Sequence, residues 1–152
     1  MSINRVELNM TEETPKKKKK IMIAIGKRKK AIASAVVQEG TGIIRVNSKP
    51  IDAVQPRYVQ MRLREPVVLA GDLVKRVNID VTVTGGGVWG QADAARTAIA
   101  NALVNWTKDN KLKEAYVDYD RSILVSDPRR TEPHKPSRST AGPRRTKQQS
   151  KR

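Results

Sequence analysis

The string Gly85-Gly86-Gly87-Val88-Trp89-Gly90 satisfies G-x-G-x-x-G between a strand-like and a helix-like segment, a spacing that lets backbone amides approach a pyrophosphate. A dinucleotide site also needs an acidic residue about 20 positions on, at the end of the next strand, to hold the ribose. Asp109 has the distance but lies in Lys108-Asp109-Asn110-Lys111, a polar helix end followed by more helix, so the context fails. A P-loop fails too, because Gln91 stands where the Gly-Lys-Ser/Thr ending would begin. His134 is the only histidine and has no partner nearby in sequence, which removes a triad or a histidine metal site. Asp118 and Asp120 flank Tyr119 and are expected in a solvated turn rather than as a catalytic carboxylate pair. With no cysteine there is no disulfide, thiolate metal site or cysteine nucleophile. The sequence is therefore read as non-enzymatic, with no catalytic residue, cofactor or metal. Without a cofactor the glycines still leave two readings open, a tight turn needed for packing or an amide-rich contact to an RNA phosphate.

What remains is charge. The chain has 152 residues with 31 Lys+Arg against 15 Asp+Glu, a formal net charge of +16. Residues 1–30 carry ten Lys/Arg and three acids, residues 31–127 twelve and eleven, and residues 128–152 nine and one. A near-neutral middle with ordinary periodicity can bury a core, whereas like-charged, apolar-poor ends cannot offset their ordering entropy until a polyanion neutralises them. A nucleic acid is the expected partner. In the first end, Lys27, Arg28, Lys29 and Lys30 directly follow a strand-like run and are read as phosphate contacts. The run at residues 16–20 is equally a solubilising stretch or a phosphate contact. In the other end, Arg129, Arg130, Lys135, Arg138, Arg144, Arg145, Lys147, Lys151 and Arg152 are spread along a proline-rich segment that suits tracking a phosphate chain.

The middle must supply the scaffold. Residues 21–25 read as a short buried strand, and residues 31–37 and 43–47 as two strands of a hairpin turning at Gly40-Thr41-Gly42. Pro56 opens a helix expected to stop near Glu65, where Pro66 interrupts it, with Arg57, Arg62 and Arg64 on its solvated surface. Val77, Ile79, Val81 and Val83 alternate strictly with polar residues, a strand with one wet face. From Gly90 the period changes, and Ala95, Ala98, Ile99, Ala102, Leu103 and Trp106 form one stripe opposite Asp93, Thr97, Asn101 and Asn105. Residues 110–116 predict a further helix, and residues 122–131 a last short strand. The fold class expected is α+β, a two-layer α/β sandwich. The organisation is a leader and lysine run at 1–20, a globular domain at 21–131 and an extended basic tail at 132–152. The longest apolar run is residues 21–25, well under the roughly 18 to 20 residues of a membrane span, so no membrane partner is expected and the address is cytoplasmic.

The strings GKRKKAIASAVV, GGGVWGQADAARTAIANAL and QSKR together resemble the universal small-subunit ribosomal protein nine family, and YDRSILVSDPRRTEP resembles its archaeal and eukaryotic branch. The resemblance covers roughly residues 21–152. It implies a structural constituent of the head of the small subunit, bound to small-subunit ribosomal RNA beside neighbouring head proteins. It implies a body like the second domain of ribosomal protein five, with a left-handed crossover, and a tail whose tip meets the peptidyl-site transfer RNA. Carried over, Ser150, Lys151 and Arg152 would touch transfer RNA. Lys27, Arg28, Lys29 and Lys30 and the turn of Gly85, Gly86, Gly87 and Gly90 would face ribosomal RNA. No residue after Tyr119 is aromatic, so charge rather than stacking must carry the tail's contacts. The alternative from composition alone is a free nucleic-acid chaperone or DNA-compacting protein, since phosphate contacts do not distinguish RNA from DNA.

Overall fold

The computed structural model describes residues 20–130. Strands β1 (Ile21–Arg28), β2 (Ala31–Glu39), β3 (Ile44–Val46), β4 (Lys49–Pro50) and β5 (Val77–Thr84) form one mixed sheet in the order β1-β2-β5-β3-β4. Helices α1 (Arg57–Ala70), α2 (Val88–Thr107) and α3 (Asn110–Tyr119) complete an α+β fold. In β2 and β5 every second residue is buried: Ala31, Ala33, Ala35 and Val37 on one, Val77, Ile79, Val81 and Val83 on the other. The helices cover that face, and among the described residues no element covers the opposite one.

Small residues let α2 lie close to the sheet. At Gly26 an added Cβ would run into the carbonyl oxygen of Ala94 and come within 2.6 Å of the Ala98 nitrogen. Ala94, Ala95, Ala98 and Ala102 on the helix meet Ala24, Ala31, Ala33 and Ala35 on the strands, all buried. Close approach increases the number of dispersion contacts that each small side chain makes.

Several local expectations are corrected. Residues 21–25 are part of a longer edge strand whose Ile21, Ile23 and Ile25 are exposed; only alternate positions, Ala24 and Gly26, are buried. Strands β2 and β3 are not a hairpin, because β5 pairs antiparallel with β2 and parallel with β3 and so separates them. The Gly40-Thr41-Gly42 segment instead wraps the start of β5. The Asn78 side chain accepts from the amides of Thr41 and Ile43 at 2.8 and 3.1 Å, and Gly40 N donates to Arg76 O at 3.1 Å. The hairpins are instead β1–β2, with Arg28 opposite Ala31 across Lys29-Lys30, and the short β3–β4, with Val46 opposite Lys49 across Asn47-Ser48.

Helix α1 does not stop at Glu65. Pro66 forfeits a bond to the Arg62 carbonyl, but its ring is fully buried and its own carbonyl accepts the Tyr116 hydroxyl at 2.7 Å. The helix runs on to Ala70. Burial pushes the pKa of the Tyr116 phenol up, which keeps it a donor. The polar stripe of α2 is wet only at its end, at Asn105; α1, α3 and the chain after α3 cover or half-cover Asp93, Thr97 and Asn101. Arg96 and Thr97 are buried, and Asn101 Nδ2 donates to Leu124 O at 3.2 Å. Residues 121–123 form a 3₁₀ turn, and no strand follows before residue 130.

Replacing Gly26 by Ala should be among the most damaging single changes available, because backbone atoms of α2 rather than a flexible side chain occupy the space. Overpacking of this kind costs about 1–3 kcal/mol or more. A chemical-denaturation midpoint equal to that of the parent chain would show that α2 does not lie this close to β1.

Candidate nucleic-acid interface

The two turns singled out in the sequence meet at one end of the sheet. The β1–β2 turn places Lys29 at φ 54°, and it abuts the chain leaving β5. Gly85 and Gly86 have φ of 73° and 67°, and an added Cβ on Gly85 would sit 2.5 Å from Lys30 O. On Gly86 it would sit 3.0 Å from Ala31 N. The left-handed backbone and the close approach both demand glycine here, so packing alone accounts for these two positions. Gly90 packs more loosely, its Cβ position being 3.6 Å from Arg28 O, and nothing lies within 4 Å at Gly87. Gly87 is the N-cap of α2 and has no side chain to bond the first-turn amides. Gln91 folds back, its Nε2 donating to Gly85 O at 3.1 Å. Asp109, the residue at ribose-acid distance, instead caps α3 by accepting from Lys111 N at 2.9 Å.

Lys27, Lys29, Lys30, Ile32 and Arg130 line a cleft of about 370 Å³ beside the turn. Among the described residues none of these three lysines, nor Arg130, has a carboxylate partner. Arg28 differs from its neighbours. Its guanidinium pairs with Asp127 and lies 3.6 Å from Asp93, so its charge is neutralised within the body.

That pair belongs to an alternating chain of ions. Asp93 also meets Arg62 at 3.2 Å, Arg62 meets Glu65 at 3.1 Å, Glu65 meets Arg96 at 2.6 Å, and Arg96 meets Asp120 at 2.9 Å. Arg62, expected on a solvated face, is thus a half-buried link in this chain, whereas Arg64 is exposed as expected and pairs with the exposed Asp52. Burial alone would make the Arg62 guanidinium easier to deprotonate, but Asp93 and Glu65 outweigh it and raise its pKa. Arg96 is 2% exposed. Its Nε and Glu65 Oε2 approach as an ion pair at 2.6 Å without meeting hydrogen-bond geometry. Asp120 is no free solvated turn residue. Desolvation would raise its pKa, but the Ser122 hydroxyl and amide and the Arg96 guanidinium all donate to it and hold its carboxyl at about 2.

Of the basic end segment, Arg129 and Arg130 are described. Arg129 donates to Asp127 at 2.6 Å and is otherwise exposed. Lys135, Arg138, Arg144, Arg145, Lys147, Ser150, Lys151 and Arg152 lie outside the described residues, as do His134 and residues 1–19. Lys20, the last of the lysine run, sits 4.8 Å from the Trp106 ring centroid. The sequence reading missed the ion chain. Its members are far apart in sequence, and the only local signal was a carboxylate three positions after Arg62.

The family described as "Ribosomal protein S9/S16" matches residues 26–152. The small ribosomal subunit protein uS9 of Methanococcus maripaludis strain C7 is 50% identical over 131 residues, 86% of this chain and 98% of the relative. The protein of the same name from Methanococcus vannielii matches to the same extent.

The depressed pKa of Asp120 makes a signed prediction. Its stabilising effect is fully present above the unfolded carboxylate value of about 3.9 and is lost as pH falls towards 2. Asp120→Asn should therefore lower stability by about 1 kcal/mol at pH 7, discounted because the carboxylate is partly exposed. The gap between variant and parent should close between pH 5 and pH 2 in denaturant titrations. A gap independent of pH would contradict the role given to this carboxylate.

Proposed function

We propose, from the premise that this chain belongs to the ribosomal protein S9 family, in its archaeal-type branch, and is a structural, non-enzymatic constituent of the small subunit of the cytoplasmic ribosome, that two separate basic elements embed it in ribosomal RNA. The first is the end of the body where Lys27, Lys29, Lys30 and Arg130 line a cleft and Lys30 abuts the glycine turn. The second is the tail at 132–152, emerging from a body at 21–131, with residues 1–20 as a leader. The observation that carries this reading is that the family match runs from residue 26 through residue 152 and so spans both elements. Family membership favours it over a free nucleic-acid chaperone or a DNA-compacting protein.

Each cation that meets a phosphate releases condensed counterions, so affinity falls with salt in proportion to the number of contacts. Arg28 contributes less than its neighbours on this account, because Asp127 and Asp93 already compensate it. Neighbouring head proteins and the finer fold follow the family resemblance. The β3–α1–β5 connection joins the parallel strand pair and is where a left-handed crossover like that of the second domain of ribosomal protein five would sit. The tail's tip, Ser150, Lys151 and Arg152, is assigned to the peptidyl-site transfer RNA.

Comparing the full chain with one ending at residue 127, the nine cations of residues 128–152 should steepen the fall of log affinity for small-subunit ribosomal RNA. The expected difference is roughly 6 to 8 per decade of salt. A difference near 1 would remove the tail as a main anchor. Deleting only Ser150, Lys151 and Arg152 should leave assembly into the subunit intact while weakening retention of transfer RNA at the peptidyl site. Failure to assemble without those three residues would show that the tip is an assembly element instead.

A further inference from the structure

Trp89 stands in the first turn of α2, directly after the glycine turn, and is 60% exposed. An exposed indole offers a partner more buriable apolar area than almost any other side chain. The other indole, Trp106, is half-buried against the core, with Lys20 over its ring. The surroundings of Trp89 are fixed by contacts already described. Its neighbour Gly90 packs against Arg28 O at the end of β1, and Gly85, two residues before the start of the helix's N-cap, packs against Lys30 O. One turn further along the same stripe of α2 lies Asp93, at i+4, and its charge is compensated by Arg28 and Arg62. The first turn of the helix, which carries the indole, therefore abuts the turn of Lys29 and Lys30, and the next residue on its stripe is a carboxylate that is already paired.

An exposed aromatic side chain on a helix turn that adjoins a turn of lysines without carboxylate partners among the described residues suits a nucleic-acid strand in two respects at once: lysines can meet phosphates and the ring a base face. We propose that Trp89 is a stacking platform for an unpaired base of ribosomal RNA, which the lysine turn holds by its phosphates. The charge around the ring favours this occupant over an apolar protein surface, which would have to desolvate those lysines without neutralising them. The inference rests on the proposed RNA-facing role of this end of the body and adds a contact that charge alone does not supply. Stacking is largely independent of salt and phosphate contact is not, so the two can be separated.

The test uses the full chain and small-subunit ribosomal RNA. In a Trp106→Phe background, which leaves Trp89 as the sole indole, RNA should quench the tryptophan fluorescence. Trp89→Ala should weaken binding by roughly 5- to 150-fold, the range for loss of one stacked base, with an unchanged salt slope, and Trp89→Phe should restore most of the affinity. Replacing Lys29 and Lys30 by Ala should instead flatten the salt slope by about 2. If RNA binds with the expected slope but Trp89 is neither quenched nor needed, the stacking proposal falls while the phosphate reading stands. If Trp89 is shielded in the assembled subunit while Trp89→Ala leaves RNA affinity unchanged, a protein neighbour covers it and the proposal is equally wrong. Absence of any salt-dependent RNA binding would overturn both.

Discussion

The contact on which the rest of the arrangement depends is that of α2 with β1 at Gly26. Backbone of the helix fills the space that any side chain there would need. Because α2 is held at that distance, its N-terminal end meets the β1–β2 turn, with Gly90 against Arg28 O and the chain at Gly85 and Gly86 against Lys30 and Ala31. Two turns 55 residues apart in sequence thus become one surface through the packing of small residues beneath them. If the helix were lifted by one methyl group, glycine turn and lysine turn would separate before any cation was lost.

The second organising feature is the different use made of arginine and lysine. Arg28, Arg62 and Arg96 each bridge two carboxylates, giving the series Asp127, Arg28, Asp93, Arg62, Glu65, Arg96 and Asp120. A planar guanidinium with five donors can serve two acceptors, and it stays charged when buried. The lysines of the turn point elsewhere, compact and strongly hydrated, and have no partner among the described residues. Arg28 therefore belongs electrostatically to the neutral body, although its position in sequence places it in a basic cluster. A series that buries Arg96 and half-buries its other members contributes little net stability for its size, since desolvation and solvent screening offset much of the attraction. Its consequence is geometrical, because it fixes β1, α1, α2 and the segment after α3 relative to one another.

How far this was legible in the sequence depended on the range of the determining contact. The alternation of β5 and the stripe of α2 are local patterns, and both elements form where periodicity puts them. The hairpin assigned to residues 31–47 failed because β5, some 30 residues later, inserts between the two strands. The helix expected to end at Pro66 continues because Tyr116, 50 residues away, bonds the proline's carbonyl and the ring is buried. Periodicity also implied a solvated face for α2, yet a second layer of chain covers Arg96, Thr97 and Asn101 and supplies their partners. At the interface, composition located the lysines and the glycines separately. Their adjacency, and the removal of Arg28 from the free charge, follow only from tertiary packing.

The same packing fixes where the basic end segment leaves the body. Asn101 holds the Leu124 carbonyl, Asp127 is held between Arg28 and Arg129, and Arg130 lines the cleft with Lys27, Lys29 and Lys30. The described start of that segment, up to Arg130, is therefore anchored beside the lysine turn. A chain of the 22 residues beyond Arg130 spans at most about 75 Å. On the proposed RNA-facing reading, a root held there would let the segment follow a polyanion continuous with the one at the turn. A tethered ligand gains effective concentration when its root is held at the first site, so contacts at the turn raise the local concentration of phosphate for the tail and the reverse. The ion series thus has a second effect: by keeping Asp127 on Arg28 it holds the start of the basic segment, Arg129 and Arg130, on the same side of the body as the lysine turn.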